Sequence, residues 1–417
     1  MIYPPTTPEQ HFARPRLQAL RAEFREHLGD PSSAFLVRAP GRVNLIGDHT
    51  DYNGLPVFPM AIQRDMAILF RPRPDGQVRL FNTDPHFSPC EFILGPEIAP
   101  EAQGDWGNYL KAAGQALVRS RGSLLGIDGV VSGDVPVASG LSSSSALVVA
   151  CGLALVVANE IQTSAQELAV LFAEGERYVG AEIGGMDQAI SLGGQKNTAF
   201  RIDFDPLRLQ PTPVPTNWTF VVASSLVTAP KSGSVRDVYN ARTRECGEAL
   251  QGLLRHSKVP SEIDGYESLV GTLPLEEIFS IAVETLQEPL LKRLRHTVTE
   301  AARVEDARAA MLRDDPESFG QLMTSSHRSL RDDYEVSCQE LDELVEICLD
   351  GGACGARLTG AGLGGCAVAL CRNESVEPVL AALRRHFYEN RTFDGALGDH
   401  LLVAQPSDGA SRVELES

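Results

Sequence analysis

Strand-like and helix-like segments follow one another irregularly along this chain, and that order constrains its fold more than any other feature. In the first half, apolar runs at 34–37 and 57–62 read as buried strands. Helices are predicted over 106–120, over the long apolar run 143–159, and over 164–179, an amphipathic stretch with Ser164 as its N-cap. Between and after them come strands at 129–132, 198–202 and 220–223. The second half is helix-rich, through 235–255, 291–312, 316–330 and 341–349, before strands at 356–359 and 366–371, a helix over 376–388 and a last strand near 401–404. A regular βαβ winding would alternate the two types evenly, so this order predicts an α+β protein. A domain change fits the proline-rich stretch 206–215, giving an N-terminal domain over 1–210 and a C-terminal one over 211–417. The last dozen residues read as frayed, and there is no internal repeat.

Composition narrows the partners. Fifty-five acidic residues against 37 basic ones give a net charge of −18, which argues against a general nucleic-acid or anionic-membrane binder but leaves room for one basic nucleotide pocket. None of the eight cysteines stands in a Cys-x-x-Cys or Cys/His metal spacing, and several lie inside apolar runs such as Gly365-Cys366-Ala367-Val368. Buried free thiols in a reducing compartment are expected. The opening residues carry no basic start and no long apolar segment, and no apolar run reaches membrane-spanning length. The expectation is a cytoplasmic protein, a monomer, without membrane or nucleic-acid partners.

Four local constellations carry chemistry. Gly41-Arg42-Val43-Asn44-Leu45-Ile46-Gly47-Asp48-His49-Thr50-Asp51-Tyr52-Asn53 places an arginine, carboxylates and a histidine between two strands, which suits a ligand with several hydroxyl groups. An ordinary charged surface loop is the competing reading. Pro136-Val137-Ala138-Ser139-Gly140-Leu141-Ser142-Ser143-Ser144-Ser145-Ala146 opens directly into the apolar helix, where unpaired N–H groups and the dipole favour phosphate. It lacks the Gly-Lys-Ser/Thr of a Walker loop, and serine-rich N-caps without a ligand are common. Gly184-Gly185-Met186-Asp187-Gln188 suggests a backbone that must approach something closely and an acid aimed into a cavity, with Glu174 and Glu176 upstream as metal candidates or plain surface acids. Arg357-Leu358-Thr359-Gly360-Ala361-Gly362-Leu363-Gly364-Gly365-Cys366 is a glycine-rich turn between two strands, able to cradle an anion but weak evidence alone.

Taken in order, these motifs resemble the GHMP family of small-molecule kinases and, within it, the galactokinase branch. Tyr239-Asn240-Ala241-Arg242, the run 323–332 and the run 334–342 add to the likeness, which spans nearly the whole chain. The resemblance implies a two-domain α+β fold with the active site in the cleft between domains and a ferredoxin-like C-terminal sheet. It implies Mg·ATP as phosphoryl donor and a sugar acceptor. Asp187 would face the anomeric hydroxyl, and Arg42 both that hydroxyl and the transferring phosphate. Asp48, His49 and Asp51 would hold the outer hydroxyls, Gly184 would line the pocket and Tyr239 would close it. Ser139, Gly140, Leu141, Ser142, Ser143 and Ser144 would wrap the phosphates, Trp106 would flank adenine, and Ser144 with Glu176 would hold Mg²⁺. Galactose 1-phosphate is the product implied, with N-acetylgalactosamine or another sugar as the alternative and a non-catalytic ATP/galactose sensor as the reading from another class.

Departures from the family pattern bear on the sugar. Asp48 stands where a glutamate is usual, near the expected place of the 6-hydroxyl, and is shorter by one methylene, roughly 1.5 Å. Gly54-Leu55-Pro56 replaces a glycine pair and stiffens the turn. Glu176-Arg177-Tyr178-Val179-Gly180 follows the register of the N-acetylgalactosamine kinase branch, which favours Glu176 over Glu174 as the metal ligand.

Overall fold

A computed structural model describes residues 6–7, 14–137, 139–180, 184–228 and 234–415; the opening residues read above for a leader lie mostly outside these. The strands are β1 (Phe35–Ile46), β2 (Phe58–Arg73), β3 (Gln77–Asn82), β4 (Cys90–Ile93), β5 (Gly126–Gly133), β6 (Thr198–Phe204), β7 (Leu207–Pro213), β8 (Trp218–Ser224), β9 (Gly355–Thr359), β10 (Cys366–Arg372), β11 (Leu401–Ala404) and β12 (Ser411–Val413). A six-stranded sheet runs β12-β1-β2-β5-β3-β4, antiparallel except for the β3–β5 pair. A second, fully antiparallel sheet runs β11-β8-β10-β9. With helices between β8 and β9 and between β10 and β11, it has ferredoxin-like order.

The helices that matter for the site are α1 (Arg14–Leu28), α2 (Gly107–Arg121), α3 (Ser143–Ala158), α4 (Ala165–Glu176) and α5 (Met186–Gly193) in the first half. The second half adds α6 (Ser234–Leu254), α7 (Tyr266–Thr272), α8 (Leu275–Thr285), α9 (Leu290–Leu312), α10 (Pro316–Asp332), α11 (Gln339–Asp350) and α12 (Val376–Leu383). Helix α3 has no polar face beyond its first turn, so it must be covered on all sides. It packs against β1 and β2 on one side and α2, α4 and α5 on the other. Helix α4 starts where expected, with Ser164 and Glu167 forming a reciprocal capping box. Asp315 caps α10, with Pro316 at its first position.

The fold is thus α+β in two domains, as the order of elements implies. The boundary placed at 210/211 falls inside β7, the second strand of the β6–β7 hairpin. Of the last dozen residues, those described, up to 415, are not frayed: β12 pairs with β1, Leu36 opposite Val413, and Val413 is buried. Arg38 on β1 holds the chain just before it, donating to the carbonyls of Asp408 (3.0 Å) and Gly409 (3.2 Å). The same guanidinium pairs with Asp65 at 2.6 Å; burial alone would raise that acid, but Arg38 and Arg16 hold it below its ordinary value. All eight cysteines are free, six buried and two half-buried. No helix among the described residues is long and apolar enough to cross a membrane.

Candidate active site between the two domains

The end of β5, the start of α3 and the Gly-rich turn after β9 form one cleft. Ser139, Gly140, Ser142, Ser143, Ser144 and Trp106 line it, together with Arg42, Gly362, Gly364 and Gly365. Leu141 does not: its side chain lies in the core, and its contribution is a carbonyl that accepts the Arg42 N–H at 3.0 Å. Ser142, held at φ 63°, caps the start of α3, and its Oγ is buried without a hydrogen-bond partner among the described residues. Such an orphan hydroxyl beside a helix N-terminus suits a phosphate oxygen. Gly140 and Gly360 touch backbone to backbone: a Cβ on Gly140 would fall 2.7 Å from the Thr359 carbonyl, and one on Gly360 would fall 2.9 Å from the Gly140 carbonyl. The two loops can close on each other only as glycines. At the other end of the cleft, the Trp106 ring tilts against Phe87 at 5.9 Å and its N–H donates to the Ser88 carbonyl. Phe87, Trp106 and Tyr109 make an apolar aromatic slot suited to a planar base.

Arg42 joins this cleft to a buried cluster of polar side chains that includes Asp187 and Asp51. It leaves β1 just past a register shift opposite β2, donates to the Gly140 carbonyl, and forks onto one oxygen of Asp187 at 2.8 and 2.7 Å. Asp187 sits in the first turn of α5, where the helix dipole favours a carboxylate, and its other oxygen lies 3.4 Å from the Ser145 hydroxyl. Both members of the pair are 4% exposed. Asp51 opens a short turn after β1; burial and the charge of Asp187 push its carboxyl up to about 6. Gly184 supplies room rather than a hydrogen bond, since a Cβ there would lie 2.5 Å from the Asp51 Cγ.

His49 is packed beneath Tyr239, ring to ring at 5.5 Å. Its Nε2 faces the Ala361 carbonyl at 3.1 Å, so that nitrogen carries the proton and Nδ1 accepts from the Tyr52 hydroxyl at 2.8 Å. Burial pushes His49 down to about 3, keeping it neutral. Behind Tyr52 the chain of hydroxyls continues to Tyr334 (2.6 Å) and the Cys246 thiol (3.1 Å). Asp48 meets Arg357 at 2.6 Å, Asn44 Nδ2 at 2.9 Å and the Gly360 N–H at 3.3 Å. Burial pushes its carboxyl up, with Arg357 opposing. Glu300 braces the same region, accepting from the Gly47 N–H, Ser326 and Arg303; burial opposes its ionisation, but Arg303 and Arg357 bring it to about 2.

Sequence reasoning named Arg42, Trp106, Gly140 and the serines of the cleft but missed Phe87 and this supporting set. Tyr52, Tyr334, Asn44 and Arg357 stood inside recognisable runs, yet nothing local says what each touches. Glu300 reads as one more helix acid.

Among the described residues no group of three or more His, Cys, Asp or Glu is placed to hold a metal ion. That is compatible with Mg²⁺, which keeps waters and phosphate oxygens and needs one or two protein ligands. Ser144 lies on the cleft wall. Glu176, at the end of α4, is fully buried and accepts from the Gln188 amide.

Comparison with known proteins bears on the whole assembly. Residues 22–72 match the galactokinase galactose-binding signature, 108–195 the GHMP kinases N terminal domain and 307–389 the GHMP kinases C terminal model. A galactokinase of Roseiflexus sp. (strain RS-1) is 37% identical over 398 residues, covering 94% of this chain and 96% of its own. The chain belongs to the galactokinase family. A second galactokinase, from Glaesserella parasuis serovar 5, is 35% identical over 96% of this chain and all of its own. The crystal structure of Lactococcus lactis galactokinase complexed with galactose superposes with a TM-score of 0.84 at 32% identity, covering 95% and 99% of the two chains. The Methanococcus jannaschii mevalonate kinase, at TM-score 0.59 and 17% identity over 90% and 99%, shares the fold.

Proposed function

We propose that this protein transfers the γ-phosphoryl group of ATP to the anomeric hydroxyl of galactose, giving galactose 1-phosphate and ADP. The observation that carries the reading is the Arg42–Asp187 pair, buried where an anion cleft meets a cluster of carboxylates. ATP would lie with its base in the Phe87–Trp106–Tyr109 slot and its phosphates across Ser139 to Ser144 and the start of α3. Galactose would sit between Asp187, Asp51 and Tyr239, whose phenol burial keeps far from ionising.

An anomeric hydroxyl is a poor nucleophile at neutral pH. Asp187 takes its proton as the oxygen attacks the γ-phosphorus, and the bond from that phosphorus to the β,γ-bridging oxygen breaks. Arg42, forked onto the same carboxylate, aims it and stabilises charge gathering on the transferring group. Ser144, with Glu176 as the deeper candidate, would hold Mg²⁺; when bound, the ion supplies charge neutralisation at the phosphates. Neighbouring residues do the rest by holding these groups within a shell closed to water.

The test is a coupled ADP-release assay with Mg·ATP against galactose, N-acetylgalactosamine, glucose, galacturonate, arabinose and talose, repeated after chelation. Galactose-dependent, chelator-sensitive ADP release is expected. Preference for another sugar would displace the substrate, and turnover with none would leave a sensor that binds without transferring.

A further inference from the structure

Two helix starts converge on the Asp187 carboxylate. Asp187 itself stands in the first turn of α5, and α3, whose own first turn carries Ser145, packs against that helix. The run of serines divides there. Ser142, Ser143 and Ser144 line the cleft, whereas Ser145 does not and is wholly buried. Among the described residues the partner of its hydroxyl is Asp187 Oδ2, at 3.4 Å. The other oxygen, Oδ1, takes two N–H groups of Arg42 at 2.8 and 2.7 Å. A carboxylate oxygen offers roughly two acceptor sites, so the guanidinium fills Oδ1 and a proton is received at Oδ2. A grip on Oδ1 alone lets the second oxygen swing, because the carboxylate torsion of an aspartate is broad. The Ser145 contact limits that swing.

We propose that Ser145 is a positioning residue for the transfer: its hydroxyl holds the Asp187 carboxylate in the plane that turns Oδ2 to the anomeric hydroxyl. The serine touches neither sugar nor nucleotide and acts wholly through Asp187. In the step it serves, the anomeric O–H bond breaks to Oδ2 while the oxygen bonds to the γ-phosphorus and the β,γ-bridging oxygen leaves. The proposal rests on the reading of Asp187 as the proton acceptor of a sugar kinase.

The experiment measures steady-state kinetics of the full-length enzyme and of Ser145→Ala, with Mg·ATP and whichever sugar the unmodified enzyme turns over fastest. One lost hydrogen bond that matters only to the reacting geometry should lower kcat about tenfold. The KM values for sugar and for ATP should each stay within about twofold. Ser145→Ala is then added to Asp187→Asn, where kcat should fall by less than about twofold more, since the serine acts only through the lost carboxylate. A serine that merely supports the loop would instead cost its full factor again in the double variant. That result, an unchanged kcat in Ser145→Ala, or an ATP KM raised above about fivefold would overturn the proposal. Should the alanine variant fail to fold, Ser145→Cys, similar in size but a poor donor, replaces it in both comparisons with the same expected losses. Turnover of no sugar by the unmodified enzyme is a separate result, which removes the kinase reading and this inference with it.

Discussion

Two arginine–aspartate pairs meet at the junction of the domains, and they are built for different work. Arg42 with Asp187 and Arg357 with Asp48 have nearly the same separation, 2.7 and 2.6 Å, and all four side chains are buried. Asp187 stands at a helix start beside the arginine that lines the cleft, with one oxygen in the Arg42 fork and the other toward a serine. Asp48 is gripped by a guanidinium, an amide side chain and a backbone N–H at once. Burial and pairing alone therefore do not mark a catalytic carboxylate. What separates the two is whether the surrounding donors leave the acid a task beyond holding them.

Altering each pair breaks or sharpens the contrast. Asp187→Asn should lower kcat by about 10³-fold while calorimetry still detects galactose binding; loss of binding in a folded variant would contradict its role. Arg42→Lys should cost about 100-fold in kcat, since an ammonium cannot fork onto the carboxylate and reach Gly140 together. On the other pair the damage should shift from chemistry to stability. Arg357→Met strands Asp48 and should destabilise by about 3 kcal/mol or more, read as a lower unfolding midpoint in denaturant.

Smaller effects separate the groups around the pairs. Asp51→Asn should raise the galactose KM about tenfold. The Asp51 carboxyl, pushed up to about 6, keeps its proton in the folded protein from roughly pH 4 to 6, where an unfolded chain has released it. The folded state then binds the extra proton, so its contribution to stability is lost as pH rises through that window. Thermal midpoints measured against pH should show this slope and lose it in Asp51→Asn. The galactose KM of the unmodified enzyme should rise as pH falls below 6. The smallest change is Tyr334→Phe, which removes the hydroxyl behind Tyr52: about 1 kcal/mol of stability and less than threefold in kcat/KM.

Helix α3 and the elements around the cleft were legible because each is a local signal: an all-apolar helix, a capping box at Ser164, a serine-rich loop opening into a helix. The apolar pattern marks only the short run 57–62 of strand β2, whereas the strand continues to Arg73. Gln63, Arg64 and Asp65 interrupt the apolar pattern, and only the structure shows Asp65 neutralised by Arg38 and Arg16. The site divides the same way. Arg42, Asp187 and the serines stand out as local strings, but the tie from Asp48 to Arg357 joins segments that no periodicity connects. Long-range pairing of charges is a property of topology, and a single sequence does not display it.

The pairing of β12 with β1 has a consequence for how the protein is made. Strand β1 carries Arg42 and Asn44, and one of its two neighbours, β12, is synthesised only after every other described strand. Until residues 411–413 emerge, the strand that bears Arg42 has an open edge able to recruit other chains. Arg38 likewise waits for the Asp408 and Gly409 carbonyls. Synthesis from the N-terminus therefore assembles the pocket before its outer seam is closed, and an affinity tag or truncation that disturbs 408–413 should depress the yield of soluble protein more than its turnover number.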